Sequence, residues 1–182
     1  MSRLVFIDTE FTDLLQPRLL SLGMVSLEGR EHYVELDVDD PAHAEVLSSA
    51  SDFVRFNGVL EQWGRVPGAA DTPLGMGSRT ADWLLDMAGE TSEPVVVCFD
   101  YSADHELLVE CLQDAGQWEA LRGVIRPANV DRLIGTITGE LAAEAEFAAL
   151  RSRGLARHHA LADALALRAA YLAVLAQHGG VR

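Results

Sequence analysis

The start of the chain alternates short apolar runs with turn residues. Leu4-Val5-Phe6-Ile7 is an unbroken apolar run, β-branched and aromatic in character, and predicts a buried strand over residues 3–7. Residues 8–17 then read as a loop ending at Pro17, and Arg18–Ser26 as a second strand. A turn at Glu28-Gly29 leads to a third strand over His32–Leu36, giving an antiparallel meander. The acidic stretch Asp37–Asp40 meets Pro41, which suits a helix start, so a helix is predicted through Ala42–Arg55 and a shorter one over Val59–Trp63. Pro67–Gly77 is rich in Gly, Pro and Ala and reads as a loop. Ser78 is the predicted cap of a helix through Met87, with Trp83, Leu84 and Met87 on one side.

Pro94–Phe99 is nearly continuous in its apolar character, as a central strand buried on both faces should be. Ser102 is the predicted cap of a helix over 103–115, stopped by Gly116. Val124-Ile125 reads as a short strand, Asn129–Ile137 as helix or turn, and Ala142–Leu150 as a short helix. His159–Gln177 is a long Ala/Leu helix stopped by Gly179-Gly180. A meander followed by alternating helices and strands predicts a three-layer α/β fold, with a mixed central sheet (antiparallel meander plus parallel strands) flanked by helices.

Composition narrows the picture. At 182 residues, 49% hydrophobic and 23% charged, residues 1–182 read as one domain with a proper core. No apolar run reaches the roughly 18 residues of a membrane span, and the N-terminus lacks a signal-peptide pattern. Cys98 and Cys111 form no CxxC pair and predict a reduced, cytoplasmic setting. The net charge of −14 opposes a broad electrostatic grip on long nucleic acid, but a short substrate needs few phosphate contacts.

Candidate chemistry begins at Asp8-Thr9-Glu10. Residues two apart on a strand share a face, so Asp8 and Glu10 bring two carboxylates together, a pair that repels unless a cation such as Mg²⁺ or Mn²⁺ intervenes. The plainer reading is a strand ending in a solvated acidic turn. Asp104 stands in the first turn of the helix after the central strand, where the helix dipole favours a carboxylate and α/β sheets bind ligands. Asp100, at the strand end itself, competes with it. Asp163 lies in the Ala/Leu helix with His159, Leu167 and Tyr171 along its face, where a lone charge is costly unless paired or metal-bound. His158 precedes Asp163 by five residues near the helix start, and His159 shares its face. Arg151, Arg153 and Arg157 read either as phosphate contacts or as surface charge.

These pieces, in this order, resemble the three motifs of the DEDDh 3′–5′ exonuclease superfamily, which includes RNase T, oligoribonuclease and proofreading exonucleases. Asp8-x-Glu10 is similar to the first motif, Phe99-Asp100-Tyr101-Ser102-Ala103-Asp104 to the second, and His158-His159-Ala160-Leu161-Ala162-Asp163 to the third. Small bacterial exoribonucleases are the nearest in pattern. One departure is Asp100, where the second motif often carries Asn; residues 38–90 match no motif.

The resemblance implies a hydrolase in which Asp8, Glu10, Asp104 and Asp163 hold two divalent cations, Mg²⁺ or Mn²⁺, with His158 as general base. Thr9, Phe11, Thr12 and Arg157 would contact substrate, Phe11 by stacking on the terminal base. Single-stranded RNA or a short oligonucleotide is the implied partner and a nucleoside 5′-monophosphate the product. The same motifs serve exodeoxyribonucleases, and an inactive nucleotide- or partner-binding domain of the same fold is the third reading. A homodimer is also implied, since members often pair; Trp63, Trp83 and Trp118 read as core or interface.

Overall fold

The structure is a computed structural model, and it describes residues 3–56, 58–89 and 93–179. Six strands form one sheet: β1 (Arg3–Phe11), β2 (Leu19–Ser26), β3 (Glu31–Leu36), β4 (Ala70–Asp71), β5 (Val95–Phe99) and β6 (Ile125–Asn129), in the order β4-β3-β2-β1-β5-β6. The β1–β2 and β2–β3 pairs are antiparallel, whereas β5 joins β1 and β6 joins β5 in parallel. β1 is therefore where the meander meets the parallel half.

The helices are α1 (Ala44–Ser48), α2 (Asp52–Phe56), α3 (Pro73–Ala88), α4 (Ser102–Asp114), α5 (Trp118–Leu121), α6 (Asp131–Ile134), α7 (Ile137–Leu150) and α8 (Ala160–Gln177). Alternation along the strands sorts the apolar residues into two cores. Val5, Ile7, Met24 and Val97 pack with Leu84 of α3 and Leu108 of α4. Phe6, Val25 and Cys98 face the other way, against Ala162 and Leu165 of α8 and Phe147 of α7. Each Val, Leu, Ile, Phe or Met among them, fully buried, contributes ~1.5–3 kcal/mol over exposure. The result is the expected three-layer α/β architecture with a mixed sheet between helices.

Several boundaries differ from expectation, each for a local reason. β1 runs on through Phe11 instead of ending at Ile7, because Asp8, Thr9 and Glu10 continue the ladder opposite Gly23, Leu22 and Ser21. The helix expected over 42–55 is broken into a 3₁₀ turn at Pro41–His43, then α1 and α2. Residues 67–77 are partly ordered structure: Ala70–Asp71 pairs with β3, and α3 already begins at Pro73 under a Thr72 cap whose hydroxyl accepts from the Gly75 amide at 3.1 Å. Ser78 thus lies inside the helix and donates to the Leu74 carbonyl. Tyr101, not Ser102, holds the cap position of α4, without a side-chain cap bond. β6 extends to Asn129, and α7 begins at Ile137. α8 is 18 residues long and apolar enough, by length and composition, to cross a membrane, contrary to the expectation that no segment reaches that length. Half of it is buried inside the molecule, and it carries Asp163 and Arg168, so here it is a core helix.

Trp63, Trp83 and Trp118 all pack partly buried against the first core. The start of α8 sits directly on β2 at Gly23: a Cβ there would come within 2.3 Å of the Ala160 and Leu161 backbone. Gly23 is also the residue paired with Asp8. A glycine on β2 therefore sets how close the first turn of α8, and Asp163 with it, comes to the end of β1.

Candidate metal centre

The C-terminal ends of β1 and β5 and the first turns of α4 and α8 converge on one cleft of about 450 Å³. Six carboxylates line it: Asp8 and Glu10 from β1, Asp100 just past β5, Asp104 from α4, Asp131 from α6 and Asp163 from α8. Asp8 and Glu10 share the face of Phe6, whose ring packs on Tyr171 of α8 at 5.1 Å, so they point toward Asp163. Oxygens of Asp8, Glu10 and Asp163 come within 4.8 Å of one another, and so do those of Asp8, Asp100 and Asp104. Between Glu10 and Phe11 the register with β2 shifts. A bulge of this kind re-aims the following side chain.

Asp104 is held from behind. The Thr9 amide donates to its Oδ1 at 3.1 Å and the Thr9 hydroxyl at 2.7 Å. Its Oδ2 is buried with no protein partner, and so is Oδ2 of Asp163. Free buried carboxylate oxygens are expensive and call for a ligand.

The electrostatics agree. Burial pushes Glu10 up to about 8, helped by the charges of Asp163 and Asp104. Burial likewise lifts Asp104 to about 7, against the pull of the Thr9 bonds. Asp163 rises to about 7, again through burial, although the amides of His158 and His159 and the Arg157 charge pull it back. Asp8 is raised well above its ordinary value by burial and then by Asp163, Asp104, Glu10 and Asp100. A divalent cation would relieve all four at once, and an all-oxygen donor set suits Mg²⁺ or Mn²⁺.

His158 stands at the mouth of the cleft, exposed. Among the described residues it is the one non-glycine with a left-handed backbone (φ 63°). Strain of this kind, ~1–3 kcal/mol, persists where surrounding contacts enforce it. The two residues before His158 are braced by Gln62, whose amide nitrogen donates to the Arg157 carbonyl at 2.5 Å while its oxygen accepts from the Ala156 amide at 3.0 Å. Partial burial and then Arg157 keep the His158 imidazole below its ordinary value. His159 is different. It is buried against Tyr33 (ring centroids 4.4 Å apart), and burial pushes it down to about 4.

Beside the acidic cleft lies an apolar pocket of about 500 Å³, walled by Phe11, Leu14, Phe53 and Val54 and sharing Glu10 and His158 with it. Phe53 meets the His158 ring edge-on at 5.0 Å, and Phe11 stacks on Tyr101 at 6.5 Å. The Ser51 amide donates to the Thr12 carbonyl at 2.8 Å and ties the start of α2 to the end of β1.

The proposed substrate contacts divide. Phe11 and Thr9 line the cleft, Thr9 with its hydroxyl committed to Asp104. Thr12 is fully buried, and its hydroxyl accepts from the Arg18 amide at 3.0 Å, so it shapes the turn after β1. Arg157 pairs with Glu144, lies over the Phe147 ring at 4.3 Å and lines a smaller cavity with Asp8 and Asp163. Arg153 is paired with Glu31 at 2.6 Å.

Phe53, Tyr101, Gln62 and Gly23 escaped the sequence reading. For Tyr101, an aromatic between the two acids of the second motif was a usable signal. Gln62 and Phe53 gave none, since their roles depend on contacts with distant segments.

No family model matches the sequence, and no curated protein matches it. The solved structure described as an "ExoI/SSB-Ct complex" superposes with a TM-score of 0.52 at 9% identity. The match covers 97% of this chain and 41% of the other, so the chain spans about two-fifths of that neighbour's length. At this identity the likeness concerns the fold alone, the three-layer, RNase H-like arrangement of a mixed sheet between helices.

Proposed function

We propose that this chain is a metal-dependent 3′–5′ exoribonuclease, a single exonuclease domain that releases nucleoside 5′-monophosphates from the 3′ ends of single-stranded RNA or short oligonucleotides. The observation that carries this reading is the convergence of Asp8, Glu10, Asp104 and Asp163 on one cleft with His158 at its mouth. Those four carboxylates would hold two divalent cations, Mg²⁺ or Mn²⁺, which when bound lower the pKa of water and stabilise charge on the phosphate and leaving oxygen. His158, its imidazole held below its ordinary value by partial burial and Arg157, accepts a proton from the attacking water. The water oxygen bonds to the phosphorus of the last phosphodiester, and the bond to O3′ of the penultimate nucleotide breaks. That O3′ takes a proton from solvent.

Thr9 keeps Asp104 aimed at the cleft. The apolar pocket receives the terminal base against Phe11 and Phe53, a stacking contact worth ~1–3 kcal/mol. Arg157 supplies positive charge beside Asp163. The net charge of −14 suits short, loosely held substrates. Cytoplasmic action belongs to the same proposal and rests on two free, buried cysteines, Cys98 and Cys111. Sedimentation tests the homodimer that the superfamily resemblance implies.

The deciding assay uses 5′-labelled single-stranded RNA and DNA of one sequence with Mn²⁺, Mg²⁺ or EDTA. A ladder shortening from the RNA 3′ end, lost in EDTA and weaker on DNA, is the expected result. Equal or better DNA cleavage would move the reading to an exodeoxyribonuclease. No cleavage of either polymer would leave a binding domain of the same fold.

A further inference from the structure

Asp100 is the carboxylate nearest the cluster to which the mechanism above gives no work. It stands one residue beyond the end of β5. β1 and β5 run parallel with Phe6 opposite Cys98, so the same register carried two residues further sets Asp8 abreast of Asp100. Alternation then directs both side chains to the face that Phe6 and Cys98 share. One oxygen each from Asp8, Asp100 and Asp104 lie within 4.8 Å of one another, and this set shares only Asp8 with the Asp8–Glu10–Asp163 set. Asp131 lines the same cleft but belongs to neither.

A second feature points to a ligand at this place. Asp104 is 2% exposed, and Thr9 occupies its Oδ1. Its Oδ2 is buried without a partner at the wall of the cleft. Thr9 has thus fixed the carboxylate with one oxygen free.

Resting on the two-cation reading, we propose that Asp100 is a metal ligand which, with Asp8 and Asp104, builds a second cation position that fills before nucleic acid arrives. Three carboxylates from three elements suit a hard divalent ion. With a neutral residue at 100, the position would keep two carboxylates, one of them shared, and would depend on a substrate phosphate for completion. Asp100 makes metal loading independent of substrate.

The test is Mn²⁺ titration of the metal-free full-length chain without nucleic acid, followed by calorimetry and electron paramagnetic resonance. Wild type is expected to take two ions and give a spin-coupled spectrum. Asp100→Asn should bind the first ion as before, weaken the second about 10–100-fold and lose the coupled signal. Asp131→Asn should match wild type. Circular dichroism checks that both variants fold, which the exposure of both positions favours. Two ions and a coupled spectrum in Asp100→Asn would overturn the proposal, as would the same loss in Asp131→Asn. A single ion in wild type would overturn it too, yet leave metal-dependent hydrolysis standing. No ion and no metal-dependent hydrolysis in wild type would overturn both.

Discussion

Two cavities of similar size share a wall and differ in almost everything else. The acidic cleft is built on β1, α4 and α8, and its side chains are supported from behind by Thr9 and by the close seating of α8 on Gly23. The apolar pocket is built largely from residues 13–14 and the short helix α2, and exposes Leu14 and Phe53. Glu10, Phe11 and His158 belong to both. The carboxylates Asp8, Glu10, Asp104 and Asp163 ride on long elements, whereas most of the apolar wall rides on a five-residue helix and the turn after β1. Damage to the first should therefore destroy turnover, and damage to the second should weaken binding.

The largest expected effect is Asp163→Asn, which removes a carboxylate from the Asp8–Glu10–Asp163 set. On the two-cation reading, turnover should fall by about 10³-fold or more, since that set would hold the cation that activates water and offsets substrate charge. Wild-type rates in this variant would remove Asp163 from the chemistry. Next comes the contrast between adjacent histidines. His158→Ala should lose roughly 10²–10⁴-fold in kcat. His159→Ala should act on stability first, because it opens a cavity under Tyr33. A reversed ranking of kcat would put the general base elsewhere.

The same contrast explains what the sequence made legible. Asp8 and Glu10 could be paired from spacing alone, since strand alternation is fixed by backbone geometry. Asp104 followed from its place in the first turn of a helix after an apolar run, and Asp163 from the largely apolar helix face it shares, where a lone charge is costly. The sheet was legible because Leu4–Ile7 and Val95–Phe99 are continuous apolar runs that carry β1 and β5, the pair at which its parallel half begins. Residues 41–77 were legible only in part: helical turns lie where 42–55 and 59–63 were expected to be helical, but in broken pieces. Their breaks at Ser49–Ser51 and the Thr72 cap depend on side-chain bonds that compete with helix, such as the Ser49 hydroxyl donating to the Val46 carbonyl. The apolar pocket was lost with them, because α2 supplies Phe53 and Val54. Gln62 was invisible for a related reason: its partners are Ala156 and Arg157, some ninety residues on.

A smaller effect probes the pocket itself. Phe53→Ala should raise KM about 5–100-fold, matching the loss of one stacked base, with kcat changed far less. An equal fall in kcat would mean that Phe53 chiefly positions His158, which its ring touches edge-on. The fluorescence of a 3′-terminal 2-aminopurine, quenched on stacking, separates the two outcomes.

The smallest effect is on stability, and its sign is opposite to what loss of an active residue usually brings. Burial raises Glu10 from 4.5 to about 8, and Asp104 and Asp163 from 3.8 to about 7. Without metal the native state therefore holds more protons than the unfolded chain between roughly pH 4 and pH 8. Stability is fullest below pH 4 as far as these groups are concerned, and it must fall as pH rises through that window. Asp163→Asn removes one of the interacting charges, so the metal-free variant should melt about 2–6 °C above wild type at pH 8 and nearer to it at pH 5. Saturating Mn²⁺ should reverse the order, because the cation stabilises the ionised wild-type cluster more than the variant. Thermal melts at the two pH values, with and without Mn²⁺, read all four corners. A metal-free wild type whose Tm rises from pH 5 to pH 8 while Asp163→Asn stays below it would mean that the carboxylates are already neutralised by protein groups, and the cleft would lose its claim to a cation.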